Sequence, residues 1–305
     1  MNGLDRFEAL MKERLPVFRL MRRAMMKDMT SLRVGGPADL LAEPATEEEL
    51  GALIAAARAC ELPVTLMGNG SNLLVRDGGI RGLVIRLGRR FADIRVTDGG
   101  LEARSGVLLS ELSQEAMRHG LSGLEFASGI PGTLGGAVYM NAGAYGGEMR
   151  DVITSVRVLR DGQFVTLGPD ALDLRYRHSS LMNEGGTVVW ASLALKRDDT
   201  GAIAGRMAEL AARRRDKQPL SLPSAGSFFK RPLNGYAAQL IEEAGLKGLT
   251  VGGAQVSQKH AGFLVNAGGA TARDFLALMD EVRQRVYLTS GVMLEPEVRI
   301  LGEDE

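Results

Sequence analysis

The sequence predicts an α+β protein of two or three domains. Three observations carry this reading. Short apolar runs of strand length alternate with short amphipathic segments, without the regular strand–helix–strand train that would signal one parallel sheet. The chain has 305 residues, more than one core of about 100–150 residues organises. It also holds 39 glycines against 10 prolines, nearly double the usual glycine share of about 7%. The glycines cluster at 68–70, 78–82, 129–147, 252–253 and 268–269. Clustered glycine inside folded sequence marks backbone in unusual dihedrals, or backbone that something approaches closely.

Residues 1–24 read as one polar amphipathic helix followed by a linker. A short strand is expected at 39–42. Thr46-Glu-Glu-Glu49 is a capping box that opens a helix through Cys60. Pro63 ends that stretch, and 64–67 reads as a buried strand. Further short strands are expected at 73–75, 84–87, 94–96 and 101–104. Residues 109–119 are helical by the spacing of Leu112, Ala116 and Met117. Two strand-like runs, 156–159 and 164–167, flank Asp161-Gly162, which is a hairpin signal. A strand at 188–195 and an amphipathic helix at 203–215 follow. Residues 225–230 look extended, and 237–244 is helical, stopped by Gly245. After a strand at 263–265, Thr271 caps a helix with Asp274 three residues on. Phe275, Leu278, Met279, Val282 and Val286 give that helix its apolar stripe. The chain closes with a strand near 298–301. Domain boundaries fall near 88–96 and 197–204.

Thirty-seven basic residues balance 37 acidic ones. A protein that coats nucleic acid carries a basic excess, so no nucleic-acid partner is expected, and any anion must be held by a few local donors. One cysteine, Cys60, excludes an internal disulfide, and with three histidines it makes a metal site unexpected. No apolar run reaches the roughly 18–20 residues of a membrane span, and the N-terminal residues lack a signal-like apolar core. The expectation is a cytoplasmic protein without membrane insertion.

Two glycine-rich stretches are candidate phosphate sites. Gly68-Asn-Gly is followed by strand rather than helix, so it fails as the fingerprint of a doubly wound dinucleotide fold. Gly129-Ile-Pro-Gly-Thr-Leu-Gly-Gly136 lacks the Lys-Ser/Thr of a phosphate-binding P-loop. Both nevertheless offer backbone N–H groups with little side-chain bulk, and such nests hold phosphate oxygens without a lysine. Pro131 reads as a first-turn helix residue. Each stretch alone could be a tight structural turn; the pair points to a dinucleotide held by loops.

Gly68-Asn-Gly-Ser-Asn-Leu-Leu-Val75 and Ser128-Gly-Ile-Pro-Gly-Thr-Leu-Gly-Gly-Ala137 resemble the FAD-binding loops of vanillyl-alcohol-oxidase-like flavoproteins. Met140-Asn-Ala-Gly-Ala-Tyr-Gly-Gly-Glu148, Tyr176-Arg-His-Ser179, Ser224-Ala-Gly-Ser-Phe-Phe-Lys-Arg-Pro232 and Leu294-Glu-Pro-Glu-Val298 narrow the resemblance to the UDP-N-acetylenolpyruvoylglucosamine reductases, in their shorter variety. It runs from about Thr30 to Leu301. The resemblance implies a two-subdomain FAD-binding fold (1–95 and 96–198) and a C-terminal α+β substrate domain (199–292), with residues 293–305 returning to complete the first. It implies a cytoplasmic monomer of peptidoglycan-precursor synthesis, serving cell-wall biogenesis, cell shape and division. NADPH and UDP-N-acetylglucosamine enolpyruvate would use one pocket in turn. The flavin loops carry no His or Cys, so non-covalent FAD is expected. Its cradle would be Gly68, Asn69, Gly70, Ser71 and Asn72, with Ser128, Gly129, Ile130, Pro131, Gly132, Thr133, Gly135 and Gly136.

Saturating an enolpyruvyl ether builds negative charge on the carbon beside the carboxylate, and fixed donors aimed at that charge lower the barrier. The resemblance assigns this work to Arg177, whose guanidinium stays charged and binds carboxylates bidentately. Glu297, preferred to Glu295, would donate a hydrogen bond as a desolvated acid with a raised pKa. Ser227 would give the proton to carbon. Tyr176, Lys217 and Lys230 are candidate substrate contacts; Lys217 fits an Arg-x-x-x-Lys-x-Pro pattern with Arg213 and Pro219. A packed tyrosine, a solvated helix end and ordinary surface charges are the plain alternatives. Asn141 and Asn266 read as satisfying loop backbone, and His260 as structural. A sugar or hydroxy-acid oxidase with the same loops, or a non-catalytic nucleotide-binding protein, would also fit the two glycine stretches taken alone.

Overall fold

Local signals start and stop most of the helices. In the computed structural model, which describes residues 2–233 and 235–304, the Thr46 side chain accepts from the Glu49 N–H at 3.2 Å and opens the helix Glu47–Ala59. Thr271 and Asp274 form a reciprocal capping box that opens the helix Ala272–Ser290, and Gly291 ends it at φ +72°. A C-terminal glycine tolerates that left-handed geometry without a Cβ penalty. The chain forms two compact units, each assembled from three stretches: Met1–Arg22, Leu40–Asn69 and Gly82–Arg213 in the first, and Arg23–Asp39, Gly70–Arg81 and Arg214–Glu305 in the second.

The first unit contains a five-stranded antiparallel sheet. Its order is Gln163–Leu167, Ile153–Arg160, Thr187–Ala194, Gly100–Arg104, Ile94–Thr97. Asp161 and Gly162 sit at φ +50° and +81°, and Arg160 pairs with Gln163 across them, so the expected hairpin forms. Positive φ at both turn residues matches the twist of the strands. One face of the sheet buries Leu101, Ala103, Val156, Val158 and Ala191 in a cluster with Leu109, Leu112 and Ala116 of the helix Leu109–Arg118 and with Leu134, Ala137 and Val138. Leu112 is fully buried, which contributes about 1.5–3 kcal/mol. A second cluster joins Phe7 and Met11 to Leu50, Leu53, Ala56, Leu83 and Ile85. The strand Val64–Met67 runs parallel to its neighbour, from Val64 opposite Leu83 to Met67 opposite Arg86, and delivers the chain to Gly68.

The second unit holds a four-stranded antiparallel sheet in the order Ser224–Ser227, Phe263–Asn266, Ala254–Val256, Thr250–Val251. Phe275, Leu278, Val282 and Val286 of the long helix share a core with Phe228, Phe229 and Leu264. The final strand, Arg299–Leu301, pairs in parallel with Leu73–Val75.

The mixed helix-and-strand class is as the sequence predicts, with local corrections. The strand Val64–Met67 is not the buried strand expected: it lies at the edge of its sheet, so Val64 and Leu66 are exposed and only Met67 is buried. The expected single helix over 1–24 is a helix only over Gly3–Arg14, and Leu20–Met25 is a strand. Pro16 is the reason: a proline disfavours helical backbone in the residue before it and offers no N–H. Pro131 is not a first-turn residue, because the helix begins at Leu134 with Thr133 as its N-cap.

Candidate active site

In the first unit Gly68 and Asn69 meet the second glycine-rich stretch. A Cβ on Gly68 would overlap Thr133 Oγ1, so only glycine lets these loops approach. The Asn69 side chain donates from Nδ2 to the Pro131 carbonyl at 2.7 Å. Gly132 O accepts from the Leu109 N–H at 3.0 Å, and the Gly135 N–H donates to Ser105 O at 2.9 Å. These bonds fix the loop while leaving other donors unused. Among the described residues, the N–H groups of Gly129, Gly132 and Thr133 meet no protein acceptor. A rigid, glycine-lined ridge with open N–H groups suits a diphosphate, so the residues present fit FAD. Cys60 is buried in the helix-lined core, and neither loop contains a Cys or His.

The base of that loop is held by charge. Ser128 donates from Oγ to the Glu125 carbonyl at 2.8 Å. The Glu125 carboxylate accepts from Ser122 Oγ at 2.9 Å, the Gly123 N–H at 2.7 Å and Arg206 Nη2 at 2.7 Å. Burial pushes this carboxyl up, but the Arg206 guanidinium and the N–H and hydroxyl donors outweigh it and hold the group below the usual carboxylate range.

Tyr176 and Arg177 occupy a tight turn in the same unit. Arg175 and His178 exchange backbone hydrogen bonds across it, at 3.1 and 3.0 Å. Arg177 sits at φ +52°, left-handed backbone that a non-glycine residue seldom adopts. Its Nη2 donates to the Gly143 carbonyl at 3.3 Å, and its guanidinium lies 5.0 Å from the Tyr176 ring centroid.

The second unit carries Gly70, Ser71, Asn72, Lys217, Ser227, Lys230 and Glu297. Ser227 ends the strand Ser224–Ser227, after a register shift beside Gly226, which has φ +76°. The serine is exposed, while Phe228 and Phe229 are buried and Phe228 stacks on Phe275 at 6.3 Å. This pair anchors the strand end that presents Ser227. The Glu297 N–H donates to Phe228 O at 2.9 Å, and the Lys230 N–H donates to Glu295 O at 2.8 Å. Ser227 and Glu297 are therefore neighbours across paired backbone. Asn72 joins them: its Nδ2 donates to Glu297 O at 3.1 Å, and its carbonyl accepts from the Arg299 N–H at 3.0 Å.

The two candidate carboxylates differ. Glu295 is exposed and accepts from Lys230 Nζ at 2.7 Å, whereas Glu297 is half-buried. Lys217 is exposed at the end of the helix Thr200–Lys217. Burial lowers the His260 pKa, and the neighbouring Lys247 and Lys217 cations add to this against Glu242. Its Nδ1 accepts from the Gly262 N–H at 3.2 Å, with the imidazole in the neutral form.

Sequence reasoning left out two residues that shape the Arg177 turn. Asn141 is fully buried at φ +41°, and Ser179 is fully buried with Oγ donating to Tyr139 O at 2.7 Å. Both lie in the quoted motifs, Met140–Glu148 and Tyr176–Ser179, and those motifs were the available signal. Among the described residues there is no cluster of three or more metal-ligating side chains and no helix long and apolar enough to cross a membrane.

Comparison with known proteins agrees along the whole chain. Residues 38–168 match the family model for an FAD binding domain, and residues 218–301 match that for the C-terminal domain of UDP-N-acetylenolpyruvoylglucosamine reductase. The chain is 49% identical over 280 residues to the UDP-N-acetylenolpyruvoylglucosamine reductase of Clostridioides difficile (strain 630), covering 92% of each. It is 47% identical over 306 residues to that of Clostridium tetani, covering 100% of this chain and 99% of the relative. The crystal structure of the corresponding reductase from Thermus caldophilus superposes with a TM-score of 0.81 at 42% identity, covering 93% of this chain and 100% of the other.

Proposed function

The chain belongs to the UDP-N-acetylenolpyruvoylglucosamine reductase family, and from that premise we propose which of its residues perform the reaction. The activity is the NADPH-dependent reduction of the enolpyruvyl group of UDP-N-acetylglucosamine enolpyruvate, giving UDP-N-acetylmuramate for peptidoglycan synthesis. FAD, when bound, relays the electron pair from NADPH to the carbon–carbon double bond. The loops 68–72 and 128–136 hold it without a covalent bond, through their backbone donors.

Arg177 binds the enolpyruvyl carboxylate and stays positive as charge builds beside it. Glu297 donates a hydrogen bond to the same carboxylate in its protonated form. Ser227 delivers a proton from Oγ to carbon, which completes the saturated lactyl ether. A serine hydroxyl is a weak acid, but an enolate is basic enough to take its proton. Tyr176, Lys217 and Lys230 bind the UDP-sugar. The reading extends to a cytoplasmic monomer whose product feeds cell-wall growth and so cell shape and division. Residues 1–95 with 293–305, and 96–198, serve the cofactor, and residues 199–292 serve the substrate.

The observation that carries the assignment is the backbone bond from Glu297 to Phe228, which makes an acid and an exposed hydroxyl neighbours although they lie far apart in sequence. The test is a two-step titration of the purified holoprotein. NADPH should bleach the yellow protein, and the enolpyruvyl UDP-sugar should restore the colour as product forms. A flavin that is bleached but reoxidised only by oxygen would overturn the substrate assignment.

A further inference from the structure

Arg177 holds a rarely populated backbone conformation, at φ +52°, and a non-glycine residue keeps such a conformation only when its surroundings over-determine it. Among those surroundings is one buried amide, that of Asn141. Asn141 is 0% exposed. Its Nδ2 donates to the carbonyl of Arg175 at 3.0 Å and to Glu148 Oε2 at 3.0 Å, while its Oδ1 accepts from the Arg150 N–H at 2.9 Å. Arg175 is the first residue of the four-residue turn that contains Arg177. Glu148 is itself held in an ion pair with Arg150, and its N–H donates to Asp151 Oδ2 at 2.9 Å. From the same segment, Gly143 O receives the Arg177 guanidinium at 3.3 Å. The segment that begins at Asn141 thus grips the turn at its base and meets the arginine at its head. Ser179, bonded to Tyr139 O, secures the other end of the turn.

We propose that Asn141 is a positioning residue for the reduction: its amide sets the left-handed turn that aims the Arg177 guanidinium at the substrate carboxylate. This rests on the reading that Arg177 acts on that carboxylate. A buried amide with both donor directions and its oxygen in use has one orientation open to it, so it transmits position as a rigid part would. It touches neither substrate nor cofactor in this role. Its effect belongs to the step in which the enolpyruvyl group is reduced, not to flavin reduction by NADPH.

The experiment uses the FAD-loaded enzyme in single-turnover form. Asn141→Gly keeps a residue at ease with φ +41° and removes the amide. Bleaching by NADPH and the affinity of the apoprotein for FAD should stay as in the parent, while reoxidation by the enolpyruvyl UDP-sugar should slow by about 10- to 100-fold, the cost of misplacing a catalytic group by roughly an ångström. In an Arg177→Gln background the same change should add less than about 2-fold, since residues acting as a unit are not additive. Ser179→Ala should show the same selective, non-additive loss, and it carries the test if Asn141→Gly does not fold. Equal slowing of both half-reactions, weakened FAD binding, or an undiminished loss in the Arg177→Gln background would overturn the proposal. Should Arg177→Gln by itself reoxidise at the parent rate, the arginine assignment fails instead, and that result is separately visible.

Discussion

The backbone N–H of Glu297 donates to the carbonyl of Phe228 at 2.9 Å, which sets Glu297 against the residue that follows Ser227. The buried Phe228–Phe229 pair on one side and Asn72 on the other hold this pairing in place. Main-chain bonds thereby set two chemically distinct groups, a hydroxyl and a carboxyl, on neighbouring backbone.

Because Ser227 is placed by its strand, replacing it should remove chemistry without removing structure. Ser227→Ala should be bleached by NADPH at the parent rate, while formation of the UDP-muramate product falls by about 10²–10⁴-fold, the usual worth of a positioned acid. Stopped-flow absorbance of the two half-reactions checks this, and unimpaired product formation would sink the serine assignment.

Arg177→Gln should lower kcat by about 10²–10³-fold, as loss of one donor to a developing oxyanion does. The left-handed turn should persist, since Asn141 bonds the Arg175 carbonyl rather than the Arg177 side chain. Steady-state kinetics with the enolpyruvyl UDP-sugar measure the loss. A change confined to KM would instead indicate simple ground-state binding.

Gly68→Ala should weaken the holoprotein, because the added methyl group overlaps Thr133 Oγ1. Overpacking of this kind costs about 1–3 kcal/mol. A second change, Thr133→Ala, removes the clashing hydroxyl and should restore part of the FAD affinity lost in the single variant. Fluorescence titration of apoprotein with FAD reads both effects, and a double variant no better than Gly68→Ala would refute the steric account.

His260 supplies a pH dependence. Its folded pKa lies below the ordinary value, chiefly through burial, so the unfolded chain binds a proton that the folded chain resists. This contribution is present above the unfolded pKa of about 6.5 and is lost as the pH falls through the folded value. Urea denaturation at descending pH should show a decline that His260→Gln lessens. Identical slopes for the two proteins would exclude the histidine as its source.

Much of this architecture is legible where local chemistry decides it. Thr271 and Asp161-Gly162 act on residues within one turn as their sequence context indicates, whereas Thr46 makes only half of its expected capping box, the Glu49 carboxylate accepting from the Ala45 N–H instead. Legibility fails where the deciding partner is remote or the element is very short. The strands Thr250–Val251 and Ala254–Val256, split by Gly252-Gly253, are too brief to show a period and exist through pairing. Gly68 reads as a loop glycine, but the reason it must be glycine, Thr133, lies in the other loop. Asn72 reads as part of a flavin loop, while its amide reaches Glu297, 225 residues on. The left-handed Asn141 and Arg177 carry no local mark, because tertiary bonds impose their conformation.

The parallel pairing of Leu73–Val75 with Arg299–Leu301 has a consequence for how the protein is made. During synthesis from the N-terminus, Leu73–Val75 leaves the ribosome long before its partner exists and must wait with open backbone groups, the kind of edge that recruits stray strands. Residues 299–301 supply the cover. A chain cut just ahead of Arg299 would therefore leave the Leu73–Val75 edge uncovered, a sticky, unfinished molecule for proteases to find.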